Sequence, residues 1–278
     1  MDAMIKKVIR EYKKHGFTGL ISTIYNAIFP QRAHSLALIN KLVGSGRGLE
    51  VGGPSPVFRK RGSVPIYSGI TSLDNCNFSS ETMWEGSIKG GETFKYHQSK
   101  KTGVQYICEA SNLSTIDSGC YDFLLSSHVI EHLANPIRGL YEWKRVLKES
   151  GHLILLIPDY RETFDHKRPV TNLDHLISDF NDNTGENDLT HLQEILELHD
   201  LSMDPGAGSF EDFKERSKNN IENRCLHQHV FDEQLAIQIM TYINLQVLAL
   251  EKMKPHHIMV VAKKLAASES ADNSNFIY

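Results

Sequence analysis

The chain has 278 residues, 40% of them hydrophobic, with a formal net charge of −4, four cysteines and 14 histidines. That length suits one large α/β domain with insertions, and the acidic balance lacks the basic surplus of a protein that tracks phosphates, so no nucleic-acid partner is expected. No stretch approaches the roughly 20 apolar residues of a bilayer span and the N-terminus lacks a signal-peptide pattern, which gives a cytoplasmic expectation.

Cys76, Cys108, Cys120 and Cys225 form no C-x-x-C pair, which argues against a disulfide framework or a thiolate zinc site. Residues 1–43 carry a helical period. Ile5, Val8, Ile9 and Tyr12 share a face among basic positions, and Leu20, Ile21, Ile24, Tyr25 and Ile28 repeat it until Pro30. A helical cap over a pocket or partner subunit is the simpler role; peripheral contact with an anionic membrane surface is the alternative.

Residues 47–56, RGLEVGGPSP, read as a short buried strand breaking into a glycine turn. Gly52 and Gly53 let the backbone take positive φ and let a ligand approach the main chain at a strand's carboxyl end. Glu50 sits where a carboxylate can reach a cationic or amino-bearing ligand. The spacing is not G-x-G-x-x-G, which counts against a dinucleotide such as NAD. Residues 64–67 and 70–74 suggest a second strand region ending at Asp74, a distance that suits a carboxylate accepting from both hydroxyls of a ribose. Residues 76–102 are polar and turn-rich, and 104–108 form a further strand.

The clearest architectural signal spans 121–158. A buried strand at 122–127 is followed by Asn135-Pro136, an N-cap with proline at the first helical position. A helix with Ile137, Leu140, Tyr141, Val146 and Leu147 along one side ends at Gly151, and 152–158 is an all-apolar strand. Strand, helix and strand with continuous apolar strands imply a parallel sheet covered on both faces.

These residues carry a resemblance. LEVGGPSP resembles the cofactor glycine motif of class I S-adenosylmethionine-dependent methyltransferases, YDFLLSSHVIEHLANP their fourth strand and loop, and EWKRVLKESGHLILLIPD the following helix and fifth strand. The likeness covers 47–160 closely and 232–262 loosely, and within the superfamily it is similar to methyltransferase-domain proteins that modify small molecules or glycans. The GGPSP turn departs from the family's spaced glycines. The resemblance implies an α/β fold with a doubly wound, mostly parallel seven-stranded Rossmann-like sheet. It also implies S-adenosylmethionine as cofactor, with Glu50, Gly52, Gly53 and Pro54 at its methionine end, Asp74 at the ribose, Glu109 and Ala110 beside the adenine, and Ser127 and His128 closing the pocket. The expected organisation is a cap at 1–43, a methyltransferase domain at 44–263 with a helical substrate lid inserted at 160–225, and a disordered polar tail at 264–278.

The activity expected is O-methylation of a small molecule or glycan. A hydroxyl does not ionise at neutral pH, so it needs a general base or a metal ion. The base candidates are His166 with Asp165 beside it, His132 and His229; His227 and His128 also lie near strand ends. Residues 128–132 spell H-x-x-E-H, but the helix a zinc peptidase needs is cut short by Asn135-Pro136. The same loop in ubiquinone-pathway O-methyltransferases resembles this one and carries metal ligands. The metal-free route is nonetheless the expectation, because two histidines and a glutamate within one turn strain to converge. Arg161, Lys167 and Arg168 offer a clamp for an anionic acceptor. Helices are expected near 171–180, 189–200 and 231–243, and strands near 245–250 and 258–261. A methyltransferase-like protein that binds without catalysis is the rival reading.

Overall fold

The apolar run before the glycine turn becomes β1 (Arg47–Val51), whose last four residues are buried. In the computed structural model, which describes residues 31–276, β1 lies inside an eight-stranded sheet. The other strands are β2 (Ser72–Asn77), β5 (Gly91–Phe94), β6 (Gly103–Ile107), β7 (Tyr121–Ser127), β8 (Leu147–Pro158), β9 (Leu245–Met253) and β10 (His257–Lys264), in the spatial order β5-β6-β2-β1-β7-β8-β10-β9. A separate hairpin joins β3 (Glu81–Thr82) to β4 (Gly86–Ser87).

The run β6-β2-β1-β7-β8 is parallel. β10 inserts antiparallel between β8 and β9. The seven expected strands are thus present in a Rossmann-like α/β sheet, and β5 adds an antiparallel edge strand from the polar segment that the sequence left unplaced. Parallel pairing brings the carboxyl ends of β1, β2, β6, β7 and β8 to one edge, where ligands of such sheets bind.

One face is covered by helices. α1 (Leu36–Val43) belongs to the opposite face; α2 (Pro136–Val146), α3 (Leu173–Asn181) and α7 (Glu233–Tyr242) bury Ile137, Leu140, Trp143, Leu176, Leu235 and Ile239 in a single cluster with the sheet. α2 starts where the sequence places it: the Asn135 side chain accepts from the Arg138 N–H at 3.0 Å and Pro136 occupies the first turn. The other face is covered by α1 and by the segment after the glycine turn, which bury Ile39, Val43, Phe58, Ile66, Tyr67 and Ile70. Residues 64–67 are therefore apolar because they cap the sheet, not because they join it. Pro65 has no N–H for a ladder, and the strand begins only at Ser72.

The insertion after β8 contains α3, α4 (Leu192–Leu198), α5 (Phe210–Lys218) and α6 (Asn220–Asn223). The first two match the expected helices. α5 is additional, and its start is a Ser209/Asp212 capping box.

Residues 265–276 are not the free tail their composition suggested. Buried Asn273 accepts from the Val247 N–H at 2.8 Å and donates to Leu245 O at 3.0 Å, so the chain end pairs with the start of the open edge of β9. Most of the cap expected at 1–43, and the membrane contact considered for it, lies outside the described residues. Among those described, no helix is long and apolar enough to cross a membrane.

Candidate active site

The carboxyl ends of β1, β2, β7 and β8, together with the insertion, enclose a cavity of about 770 Å³. Gly52 lines it with φ +81°, and a Cβ there would stand 2.5 Å from Val129 Cγ2. Glu50 lies beneath the turn and does not line the cavity. Its carboxylate is fully buried and accepts from the Ser55 N–H (2.9 Å), the Ser55 hydroxyl (2.7 Å) and the Tyr67 hydroxyl (2.7 Å). Burial pushes its pKa up to about 7, and the Ser55 and Tyr67 bonds offset only part of that. A Cβ on Gly53 would meet Glu50 Cδ at 2.2 Å, so the second glycine is needed for closeness to this carboxylate. Asn75 fixes the turn from the next strand, accepting from Gly53 N–H at 2.9 Å and donating to Gly53 O at 3.1 Å. Pro54 turns its carbonyl to Arg59, and Ser55 and Pro56 line the cavity in its place.

Asp74 is placed elsewhere. It sits opposite Leu49, accepts from Arg47 Nη2 (2.6 Å), Tyr121 Oη (2.9 Å) and Val104 N–H (2.8 Å), and does not line the cavity. The strand runs three residues further, and its last residue, Asn77, reaches the cavity. Asn77 was missed because the strand end was set at the acidic residue. Glu109 and Ala110 line the cavity, Glu109 also pairing with Arg224, and so do Ser127 and His128. His128 is held at φ 56° just past β7, a backbone conformation a non-glycine residue rarely adopts, with its N–H on Leu156 O at 2.9 Å.

The histidines divide into groups. His166 does not line the cavity: Nδ1 is 3.1 Å from Thr163 O and Nε2 is 3.5 Å from Asp200 Oδ2. Asp165 serves other partners, accepting from Nδ1 of His227 and from Arg168 Nη1 at 2.9 Å. His229 is buried on the segment between the insertion and α7, away from the cavity wall. His132 and His227 do line it, their rings edge to face with centroids 4.7 Å apart.

Between them lies Glu131, fully buried, with neither carboxylate oxygen hydrogen-bonded among the described residues. Around Glu131 Oε1 stand His128 Nδ1 at 3.5 Å, His132 Nε2 at 4.0 Å and His227 Nε2 at 4.0 Å. The far nitrogens of two of these rings are fixed, His132 Nδ1 by Leu226 O at 2.9 Å and His227 Nδ1 by Asp165. Burial alone raises Glu131, but the three imidazoles outweigh it and hold the carboxyl below its ordinary value. Burial and His227 push His132 down to about 4, so its ring is neutral at pH 7. His227 goes the other way, because Asp165 and Glu131 outweigh its burial. A second histidine pair adjoins: His128 Nε2 is 2.7 Å from His257 Nδ1.

A family model described as a methyltransferase domain matches residues 85–155, which include β7, the H-x-x-E-H loop and α2. No curated protein matches the chain. Among solved structures it is similar to S-adenosylmethionine-dependent methyltransferases from Methanosarcina mazei (16% identity, 82% of this chain and 97% of that chain covered, TM-score 0.48) and Mesorhizobium loti (12%, 83% and 96%, 0.46). The strand order above is that of a Rossmann-like methyltransferase sheet, and the family match identifies residues 85–155 as part of a methyltransferase domain. S-adenosylmethionine is the methyl donor that the family implies, and the residues present fit it. The cavity volume is in the usual range for a ligand of that size, at roughly 300 to 1,000 Å³. Gly52 leaves the backbone bare where a side chain would obstruct the wall, Asn77 brings an amide to the end of β2, and Val51, Phe78 and Ala110 supply apolar surface.

Proposed function

We propose that the protein methylates a hydroxyl oxygen of a small-molecule or glycan acceptor, with a divalent cation held by Glu131, His132 and His227. The observation that carries this reading is the Glu131 carboxylate: fully buried, with no hydrogen bond to either oxygen among the described residues, and faced by three imidazole nitrogens. A buried carboxylate is costly unless it is paired or bound to a cation, and this donor set of nitrogens and one carboxylate suits zinc, cobalt or manganese. The strain of converging ligands from a single turn is relieved because His227 comes from a distant segment. Asp165 and Leu226 O orient His227 and His132 as outer partners of metal-bound imidazoles usually do.

When bound, the cation lowers the pKa of a coordinated hydroxyl and so supplies the activation an alcohol acceptor needs. The chain's own residues do the rest. In this reading Gly52, Asn77, Glu109 and Ala110 hold the cofactor, Ser127 and His128 close its methyl end, and Glu50 supports the turn from below. The cavity wall holds donor and acceptor in alignment for transfer. Among the imidazoles named as general bases, His132 is at the cavity and takes the acceptor's proton if the reaction proceeds without metal.

The test is methyl transfer from labelled S-adenosylmethionine into hydroxyl-bearing metabolite and glycan fractions. Transfer that disappears with chelator, returns with a divalent ion and is lost in Glu131→Gln supports the proposal. Chelator-resistant transfer abolished only by His132→Ala would replace it with the metal-free base. Cofactor binding with no transfer under any condition would favour a binding protein without catalysis.

A further inference from the structure

A second set of donors lies in the insertion and on the segment just after it, and shares no residue with the cavity group. His175 and Asp179 are one turn apart on α3, His191 precedes α4, and His229 lies on the segment leading to α7. A ring nitrogen from each of the three histidines lies within 4.8 Å of the other two. His175 Nε2 is 3.0 Å from His191 Nε2 and 3.4 Å from Asp179 Oδ2, and His229 Nε2 is 3.7 Å from the same oxygen. Ligands about 2.0 to 2.1 Å from a tetrahedral zinc ion are separated from one another by about 3.3 Å, and the His175–His191 and His175–Asp179 separations, 3.0 and 3.4 Å, lie on either side of that value.

Two atoms at this place are buried and have no hydrogen-bond partner among the described residues, Asp179 Oδ2 and His229 Nδ1. Asp179 Oδ1 is already taken by the Thr184 hydroxyl at 3.2 Å, which leaves Oδ2 as the available oxygen. His229 Nε2 stands 3.3 Å from Ala134 O; an N–H there makes Nδ1 the bare lone pair. His229 is itself only 1% exposed, so water does not satisfy it. Two imidazoles facing each other through Nε2 share at most one proton without an ion; with one, both lone pairs are used.

We infer that His175, Asp179, His191 and His229 form a structural zinc site that fastens the insertion to the loop carrying the H-x-x-E-H residues. The site joins three separate stretches of chain. Its His229 also donates its backbone N–H to Glu131 O at 3.2 Å, so ordering this site orders the wall beside the cavity. The set has no water-facing position assigned to chemistry, and its role is to hold: a closed four-ligand site of this kind contributes folding energy directly.

The experiment uses full-length protein freed of metal with chelator and then titrated with zinc or cobalt, comparing wild type with His191→Gln and Asp179→Asn. The expected result is one fewer equivalent of bound zinc in His191→Gln than in wild type, and loss of a tetrahedral-type cobalt absorption band. Zinc should also raise the wild-type melting temperature by about 5 °C or more, with most of that rise missing in both variants. Metal-free wild type and variants should melt together, which separates lost metal from lost folding. Unchanged zinc stoichiometry in both variants, or a zinc-induced rise as large in the variants as in wild type, would overturn the inference. Because the cavity residues are intact in these variants, failure here leaves the catalytic reading standing, and the reverse also holds.

Discussion

Asp165 Oδ2 accepts from Nδ1 of His227, and the same ring turns its Nε2 toward Glu131 Oε1, 4.0 Å away. Asp165 is itself held by Arg168, a buried guanidinium that also donates to His227 O at 2.7 Å. Carboxylate, imidazole and carboxylate therefore stand in one line from the insertion to the H-x-x-E-H loop. His227 and Arg168 hold the Asp165 carboxyl down at about 2 against its burial, so it is ionised at any working pH.

Asp165→Asn tests that line. The amide keeps the shape but no longer forces a proton onto His227 Nδ1, so the ring loses its preferred tautomer. Activity or metal affinity should fall by about 10- to 100-fold, the usual cost of removing an outer partner of a metal-bound histidine. Affinity for S-adenosylmethionine, measured by calorimetry, should stay within a factor of about three, since the substitution lies outside the cofactor side of the cavity. A variant with wild-type turnover would show that the orientation of His227 does not matter.

Gly52→Ala addresses the cofactor side. The φ of +81° disfavours any L side chain, and the new methyl would stand 2.5 Å from Val129 Cγ2. Strain of about 1 to 2 kcal/mol at this position corresponds to roughly a tenfold or greater loss of cofactor affinity if the turn shifts to relieve it. Calorimetric titration with S-adenosylmethionine reads the change directly. Equal affinity in the variant would mean that the turn does not contact the ligand. Asp74→Ala, by contrast, should act on stability, because it leaves Arg47 and the Tyr121 hydroxyl without their partner inside the sheet.

Much of the architecture was legible because its strands are buried on both faces and so appear as unbroken apolar runs at 122–127 and 153–157, with Asn135-Pro136 marking the helix between them. The face covered by residues 56–70 was less so. Val64 and Ile66 look like strand residues, and only the packing reveals that they lie on the sheet rather than in it. At the site, Gly52 and His128 immediately follow β1 and β7, so strand ends place them at the cavity. Asp74 could not be placed this way, because a three-residue error in the end of β2 moves a side chain from the cavity to the sheet interior. Asp165 and His166 show why adjacency in sequence is a poor guide to contact. Neighbouring residues diverge in direction, and the imidazole that Asp165 meets is 62 positions away.

The chain end offers a stability prediction. Asn273 accepts from the Val247 N–H and donates to Leu245 O and to the Thr241 hydroxyl at 3.1 Å. Asn273→Ala leaves a buried strand N–H unpaired and should cost about 1 to 3 kcal/mol in urea denaturation. A polar tail that contributed nothing would show no shift of the midpoint.

The last prediction concerns pH and Glu50. Its folded pKa, about 7, lies above the ordinary 4.5, mainly through burial, so the folded chain binds this proton more tightly than the unfolded chain does. The group's contribution to stability is therefore full below about pH 4.5 and is lost as pH rises through 7, a swing of about 3 kcal/mol for a shift of this size. Protonated, Glu50 can share one oxygen with the Ser55 donors and offer its own proton to the Tyr67 oxygen. Ionised, it is stabilised by Ser55 and Tyr67 in a fully buried site. Urea denaturation of the metal-free protein at pH 5 and pH 8.5 should show lower stability at the higher pH, with part of the difference absent in Glu50→Gln. The amide cannot titrate, so its effect on the slope is separable from the lower stability it brings by losing an acceptor. Identical slopes for wild type and Glu50→Gln would mean that Glu50 is ionised throughout, and that the two residues beneath the glycine turn outweigh its burial.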